Sequence, residues 1–337
     1  MVSRPSLKDV AKAAGVHTAT ASRALNERTA SMVSPQTVER VREAAKTLEY
    51  RVNRVARGLK TNRSFTIGML VPDITNPFFP PMVRGAEDRL AKAGYTLVLA
   101  DTDNDADKER QTQSVMLERQ VDGLLLATAQ RHDAVIEELL TTSVPFVLVN
   151  RTIDRGGVAA VIPDDQSGMA LAVDHLYDLG HRVIGHVAGP SGTSTGSRRA
   201  AGFEAAVRSL GLKPGLTVEV ASFTLEAARA VAEALFTGPG RPSAIVAAND
   251  LIALGTLDAA QTLGLRCPRD FSLVGFNDMP FVDRLQPPLT TIRVNEYELG
   301  LRASEMLLTL IEDPQARRET IMLAPELVVR GSAVARL

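Results

Sequence analysis

From Phe65 onward the chain repeats one pattern, a short apolar run followed by a segment of helical spacing and then another short apolar run. The runs are FTIGMLV (65–71), TLVLAD (96–101), DGLLLAT (122–128) and FVLVN (146–150). The pattern restarts with VAAVIPD (158–164), RVIGHVAG (182–189), SAIVAAND (243–250) and FSLVGFND (271–278). Runs this short, separated by roughly 12 to 17 residues of helix-like sequence, predict buried parallel strands joined by crossover helices. The fold class that follows is α/β, with two parallel sheets and helices on both faces of each. TTIRV (290–294) and LAPELVVRGSA (323–333) are later strand-like segments.

In sheets of this kind ligands sit beyond the carboxyl ends of the strands. The ends here carry Asn76 and Phe78, Asn150 and Arg151, Asn249 and Asp250, and Asn277 and Asp278. Amides and guanidinium groups make several hydrogen bonds each and suit a polyhydroxylated ligand. Any one of these positions is an ordinary turn former. As a set they mark a binding cleft.

The first 63 residues break the α/β pattern and differ in charge. They hold 13 Lys and Arg against 5 Asp and Glu, a net of +8, whereas the rest of the chain holds 25 against 34, a net of −9. A basic head on an acidic body points to a polyanionic partner for the head. Leu7 to Ala14 predicts a helix stopped by Gly15-Val16, because Gly takes the left-handed backbone of a sharp turn. A second helix is expected over Thr18 to Asn26. Thr20, Ala21, Ala24 and Leu25 fall on its inner side, and Thr18, Ala19, Ser22, Arg23 and Asn26 on its outer side. Small outer side chains let a helix approach the DNA major groove, and Arg23 can reach guanine O6 and N7 together. This is helix-turn-helix spacing with Thr18 to Asn26 as recognition helix. Ser34-Pro35 starts a third helix, with Val38, Val41, Ala45 and Leu48 as its apolar stripe.

Residues 50–64, YRVNRVARGLKTNRS, allow a helix of two turns at most, from Arg54 to Lys60, capped by Asn53. It is too short to stand alone in water. It carries Arg54, Arg57, Lys60 and Arg63 beside apolar Val55, Ala56 and Leu59. Two readings stay open: a hinge helix that folds on DNA, with Leu59 wedged into a minor-groove step, or a flexible basic linker.

The run L7-K-D-V-A-K-A-A-G-V-H-T-A-T-A-S-R-A-L-N26, then V33-S-P-Q-T-V-E-R-V41, then Y50-R-V-N-R-V-A-R-G-L59, resembles the head and hinge of the lac repressor family. The resemblance implies a helix-turn-helix head (1–50), a hinge helix (51–63) and a two-lobed, periplasmic-binding-protein-like body (64–337). Its N-lobe is expected over about 64–162 plus 292–323, and its C-lobe over about 163–291 plus 324–337. It implies a repressor that binds a palindromic operator as a homodimer and answers to a small polar effector such as a sugar or sugar derivative. Thr18, Ala19 and Arg23 are expected to face bases, and His17, Ser22 and Asn26 phosphates or flanking bases. Asn53, Ala56 and Leu59 are expected at the operator centre. S197-R-R-A-A-G-F203 resembles the segment whose arginine holds the effector, which makes Arg199 the first pocket residue. Phe78, Asn150 and Arg151 match the N-lobe side, and Phe223, Asn249 and Asn277 the C-lobe side. Phe223 is expected just after a strand ending near Ser222. The chain departs from the family at His17, usually Ser, at Ala21, usually Val, at Val52, usually Pro, and at Asn277, commonly Asp.

Enzyme chemistry finds no support in the sequence. G189-P-S-G-T-S-T-G196 lacks the Gly-Lys-Ser/Thr ending of a phosphate loop, and no GxGxxG follows a first strand. His181 and His186 are expected on one strand five residues apart, hence on opposite faces and unable to share a metal. No nucleophile–base pair, metal spacing or cofactor motif stands out. No run approaches the ~18 apolar residues of a membrane span. The opening MVSRPSLKDV lacks an apolar export core, and the single Cys267 suits a reducing cytoplasm. After Arg330 there is no heptad run, so no C-terminal tetramer bundle is expected. A transport-type solute-binding protein would share the body but not the basic head. An α/β enzyme with a regulatory head would need a catalytic constellation.

Overall fold

The computed structural model describes residues 5–25, 29–50, 63–213, 215–238 and 240–336. The chain divides into two compact units, Met1–Ser64 and Phe65–Leu337.

The first unit holds α1 (Leu7–Ala13), α2 (Thr18–Ala24), a single 3-10 turn (Ala30–Met32) and α3 (Pro35–Thr47). The α1 start is fixed by Asp9, whose carboxylate accepts from the Ser6 amide at 2.8 Å and the Ser6 hydroxyl at 2.7 Å. Those bonds hold Asp9 below the usual carboxylate range. Gly15 makes the turn at φ +64°, a backbone state that costs glycine nothing. His17 does cap α2, its ring Nδ1 accepting the Ala19 amide at 3.3 Å. Ser34 caps α3 and Pro35 follows at its first position. Val10, Ala11, Ala14, Ala21, Ala24, Val41 and Ala45 form the core of this unit, with Val38 and Leu48 packed against them. The regular part of α2 ends at Ala24 rather than Asn26. Asn26, and the hinge positions Asn53, Ala56 and Leu59, lie outside the described residues.

The second unit contains two six-stranded sheets. The first is built from β1 (Thr66–Val71), β2 (Thr96–Asp101), β3 (Gly123–Leu126), β4 (Phe146–Val149), β5 (Ala160–Pro163) and β11 (Thr320–Leu323), in the order β11-β5-β4-β3-β1-β2. The second is built from β6 (Ile184–Ala188), β7 (Thr217–Glu219), β8 (Ala244–Ala247), β9 (Ser272–Asn277), β10 (Thr290–Arg293) and β12 (Glu326–Val328), in the order β12-β10-β9-β8-β6-β7. The central strands β3, β4, β8 and β9 are buried along their whole length. Burial on both faces is why they read as unbroken apolar runs.

One pair departs from the all-parallel expectation: β12 runs antiparallel to β10. Only Ala324 and Pro325 separate β11 from β12, which leaves no room for the helix that a parallel return needs. The chain therefore enters the second sheet from the lobe boundary and runs away from it. In the first lobe, helix Phe79–Lys92 lies close against helix Glu296–Glu312, because Gly85 and Gly300 carry no Cβ to strike the Tyr297 and Met82 carbonyls.

The two histidines also differ from expectation. β6 begins at Ile184, so His181 precedes it, and its ring meets the Ser243 hydroxyl at 2.9 Å and the Ser272 hydroxyl at 3.0 Å. His186 is on β6, stacked on Phe203 at 4.7 Å, and its Nδ1 donates to the Val246 carbonyl at 2.8 Å. Burial pushes His186 down to about 4, so it is a neutral core residue. Among the described residues no helix is long and apolar enough to cross a membrane.

Candidate functional site

Two surfaces carry the candidate residues, one in each unit. On the head, α2 turns Ala21 and Ala24 inward and leaves His17, Ala19, Ser22 and Arg23 exposed, with Thr18 half-buried. The exposed face is small and polar with one long cation, which is what a helix lying in a major groove requires.

In the body, all seven expected effector residues line one cleft. Phe78, Asn150 and Arg151 come from the first lobe, and Arg199, Phe223, Asn249 and Asn277 from the second. Its empty space is about 520 Å³, with the open mouth included. Asn150 follows β4 and Asn277 ends β9, both with left-handed backbones, φ +64° and +116°. Asparagine is among the few side chains that accept this conformation. One residue therefore both turns the strand end and places an amide in the cleft wall.

Hydrogen bonds decide what each amide has left to offer. The Asn249 side-chain oxygen accepts the Ile252 amide at 2.8 Å and caps helix Asp250–Thr262. The Asn76 oxygen accepts the Phe78 amide at 3.1 Å. Both are left with their NH₂ groups as donors.

Arg199 is tightly held. Its Nε donates to Asp165 at 2.8 Å, its Nη1 donates to the Ala248 carbonyl at 2.6 Å, and its guanidinium lies 3.8 Å over the Phe276 ring. Burial pushes the Asp165 carboxyl up, and Arg199 pulls against that push. Arg151 is as deeply buried but has less: its Nη1 donates to the Thr128 carbonyl at 3.3 Å, and its guanidinium sits 5.8 Å from the Phe223 ring across the cleft. Burial lowers its pKa to about 10. The Arg151 Nε and the side-chain oxygens of Asn150 and Asn277 are buried with no hydrogen-bond partner. Buried polar atoms are nearly always paired, so three orphans in the walls of one cleft make it the candidate ligand site.

Beside this wall Asp250 accepts from the Thr291 hydroxyl at 2.6 Å and the Met279 amide at 2.8 Å. Burial pushes it up to about 7. The lobes also touch beside the cleft, where the Arg131 amide donates to the Gly192 carbonyl at 2.9 Å and the Thr152 amide to the Ser194 hydroxyl at 2.9 Å. Phe223 sits in the loop after β7, which ends at Glu219 rather than near Ser222. Its ring fills the space beside Gly189, where any Cβ would strike it.

Phe79, Asn104, Thr195, Ser222 and Thr224 also line the cleft and were not singled out from the sequence. Asn104 and Ser222 follow β2 and β7, so the strand-end rule applied to every strand would have found them. Thr195, at the start of helix Ser194–Ser209, carries no comparable signal. Among the described residues no group of three His, Cys, Asp or Glu side chains could hold a metal ion.

Comparison with known proteins agrees with this division. Residues 6–53 match the model for bacterial regulatory proteins of the lacI family, and residues 173–333 match a periplasmic binding protein-like domain. The chain is 35% identical to the ribose operon repressor of Halalkalibacterium halodurans, over 96% of each. It is also 35% identical to the HTH-type transcriptional repressor PurR of Aliivibrio salmonicida, over 97% of this chain and 98% of that one. The crystal structure of the lac repressor dimer bound to operator and the anti-inducer ONPF matches with a TM-score of 0.86 at 29% identity, over 99% of this chain and 100% of the other. These relatives are transcriptional repressors and not enzymes. With reading helix, two-lobed cleft and nearly the full length matched, the chain belongs to the lacI family of transcriptional regulators, with a periplasmic-binding-protein-like effector domain.

Proposed function

We propose that the chain is a repressor that binds a palindromic operator as a homodimer, and that a small polar ligand of the sugar type controls it from the cleft. The observation that carries this reading is the cleft itself, whose polar side chains come from both lobes. A ligand bridging two lobes binds one lobe angle better than another, and that difference in affinity is the condition for allosteric control. The relatives' names, a ribose operon repressor among them, support a carbohydrate or derivative.

Thr18, Ala19 and Arg23 read bases, and His17, Ser22 and Asn26 hold phosphates or flanking bases. Asn53, Ala56 and Leu59 act at the operator centre, where Leu59 opens a pyrimidine–purine step, the kind most easily kinked. Dimerisation is supported by the exposed edge of the first sheet, where Val98 and Leu99 of β2 are 44% and 37% exposed. An apolar edge strand of this kind calls for a cover.

The test is retention of sheared genomic DNA on the purified chain, followed by sequencing. A shared palindrome with a central pyrimidine–purine step is expected; no enriched sequence would count against the reading. In the same format, Arg23→Ala is expected to lose about 1–3 kcal/mol of discrimination at one base pair per half-site. An equal loss on every sequence would reassign Arg23 to phosphate contact.

A further inference from the structure

Arg151 is the least satisfied charged group in the cleft. It is 5% exposed and forms no ion pair among the described residues, whereas Arg199, equally buried, has Asp165 at 2.8 Å. An arginine stays charged in any surroundings, and a buried charge without a partner is costly. Glu109 attracts it through space, but that carboxyl is tied to the Thr128 hydroxyl and forms no ion pair with Arg151. Burial pushes the Glu109 carboxyl upward, which weakens it as a counter-charge.

Apart from Asp73, the rest of the lining carries no group that repels an anion. The strand ends present amides at Asn150 and Asn277, where a carboxylate would exclude negative charge. Asp73 is the one carboxylate lining the cleft among the described residues; it is half-exposed, and one of its oxygens accepts the Thr75 amide at 2.8 Å and the Thr75 hydroxyl at 2.6 Å. Behind the wall Asp165 is paired with Arg199, and Asp278 is held by Arg330 at 2.6 Å and Arg293 at 2.9 Å. Two helices, Ser194–Ser209 and Asp250–Thr262, begin at the cleft with Thr195 and Asn249 among its lining, and helix N-termini carry partial positive charge. The two orphaned amide oxygens ask for the opposite chemistry: hydroxyl donors on the ligand.

We propose that the cleft takes an anionic polyol, a sugar acid or a sugar phosphate, whose negative group pairs with Arg151 and whose hydroxyls donate to Asn150 and Asn277. This rests on the effector reading above and narrows it to a chemical class. Carboxylate and phosphate share the recognition chemistry, an oxyanion against a guanidinium. Phe78 and Phe223 supply apolar faces for the carbon skeleton.

The experiment is calorimetric titration of the full-length chain with matched pairs: D-gluconate against D-glucose, and D-ribose 5-phosphate against D-ribose. The charged member of one pair is expected to bind at least about tenfold tighter than its neutral partner; which pair shows it separates carboxylate from phosphate. Arg151→Gln is expected to erase that preference. Asn277→Asp, which keeps the left-handed turn, is expected to shift it toward the neutral sugar. Equal or tighter binding of the neutral member overturns the assignment while leaving the effector reading intact. Binding of none of the four probes also overturns it, and the effector reading is then judged on the Phe223→Ala operator experiment described below.

Discussion

Arg199 and Arg151 stand on the two sides of one cleft, 3% and 5% exposed, and their surroundings could hardly differ more. On the second-lobe side, Arg199 has a carboxylate, a carbonyl and an aromatic face, all supplied by the protein. Asp250 next to it is likewise bonded through both oxygens. On the first-lobe side, Arg151 has one long contact to a carbonyl, and the neighbouring Asn150 oxygen has none. The difference separates two jobs that the sequence merges. On the second-lobe wall the charged groups complete themselves on folding, and only the Asn277 oxygen of those named here is left open. On the first-lobe wall the charged group itself is left incomplete, and under the proposal above the ligand completes it. Arg199, which the family resemblance puts first as an effector contact, is thus also a structural keystone, and Arg151 is the freer of the two to read a ligand.

The contrast makes predictions of decreasing size. Arg199→Ala leaves buried Asp165 with only the more distant Arg198, at 3.8 Å, as counter-charge, so a loss toward about 3 kcal/mol in urea unfolding is expected. Adding Asp165→Asn to that variant should recover part of the loss. A single-variant loss below about 1 kcal/mol, the range of an exposed pair, would erase the distinction between the walls.

The next effect is a pH dependence. Asp250 is held at about 7 in the folded chain against about 3.9 when unfolded, so the folded state keeps its proton longer. Stability from this group is present below the unfolded value and is lost as pH rises through the folded one. Glu296, pushed up to about 8, acts in the same direction. His186 opposes them at lower pH, because its depressed pKa makes the folded state lose stability as pH falls from about 6.5 toward 4. Asp250→Asn isolates one contribution: its melting temperature should fall less than the parent's between pH 5 and pH 7.5. Parallel curves would show that Asp250 is charged throughout that range.

The smallest effect is on the other wall. Arg151→Gln removes a buried charge that forms no ion pair and has only a through-space attraction to Glu109, so its stability should change by less than about 1 kcal/mol or rise. A loss as large as that of Arg199→Ala would mean that the protein itself satisfies Arg151.

How much of this was legible in the sequence depends on the range of the interactions involved. Strands such as FVLVN and SAIVAAND announce themselves because burial on both faces demands continuous apolar residues. The helix-turn-helix is legible because Gly15 and the small faces of α2 are local requirements. Strand-end asparagines pointed to the cleft because a strand end is a fixed address in an α/β sheet. The pairing of Arg199 with Asp165, 34 positions earlier, has no local signature. Nor does the isolation of Arg151, which depends on which side chains fail to reach it. The reversal of β12 and the place of His181 ahead of β6 were missed for the same reason: each is set by how segments distant in sequence meet.

The central claim is that occupancy of the cleft is felt at the operator. Its most direct test is fluorescence anisotropy of the full-length chain on the palindrome recovered from genomic DNA, titrated with a panel of neutral sugars, sugar acids and sugar phosphates. At least one compound is expected to change operator affinity about 5- to 150-fold, the usual range of allosteric coupling. Phe223→Ala, which removes one wall of the cleft, is expected to abolish the change. An operator affinity that no compound alters, or one that shifts equally in Phe223→Ala, would contradict control from this cleft.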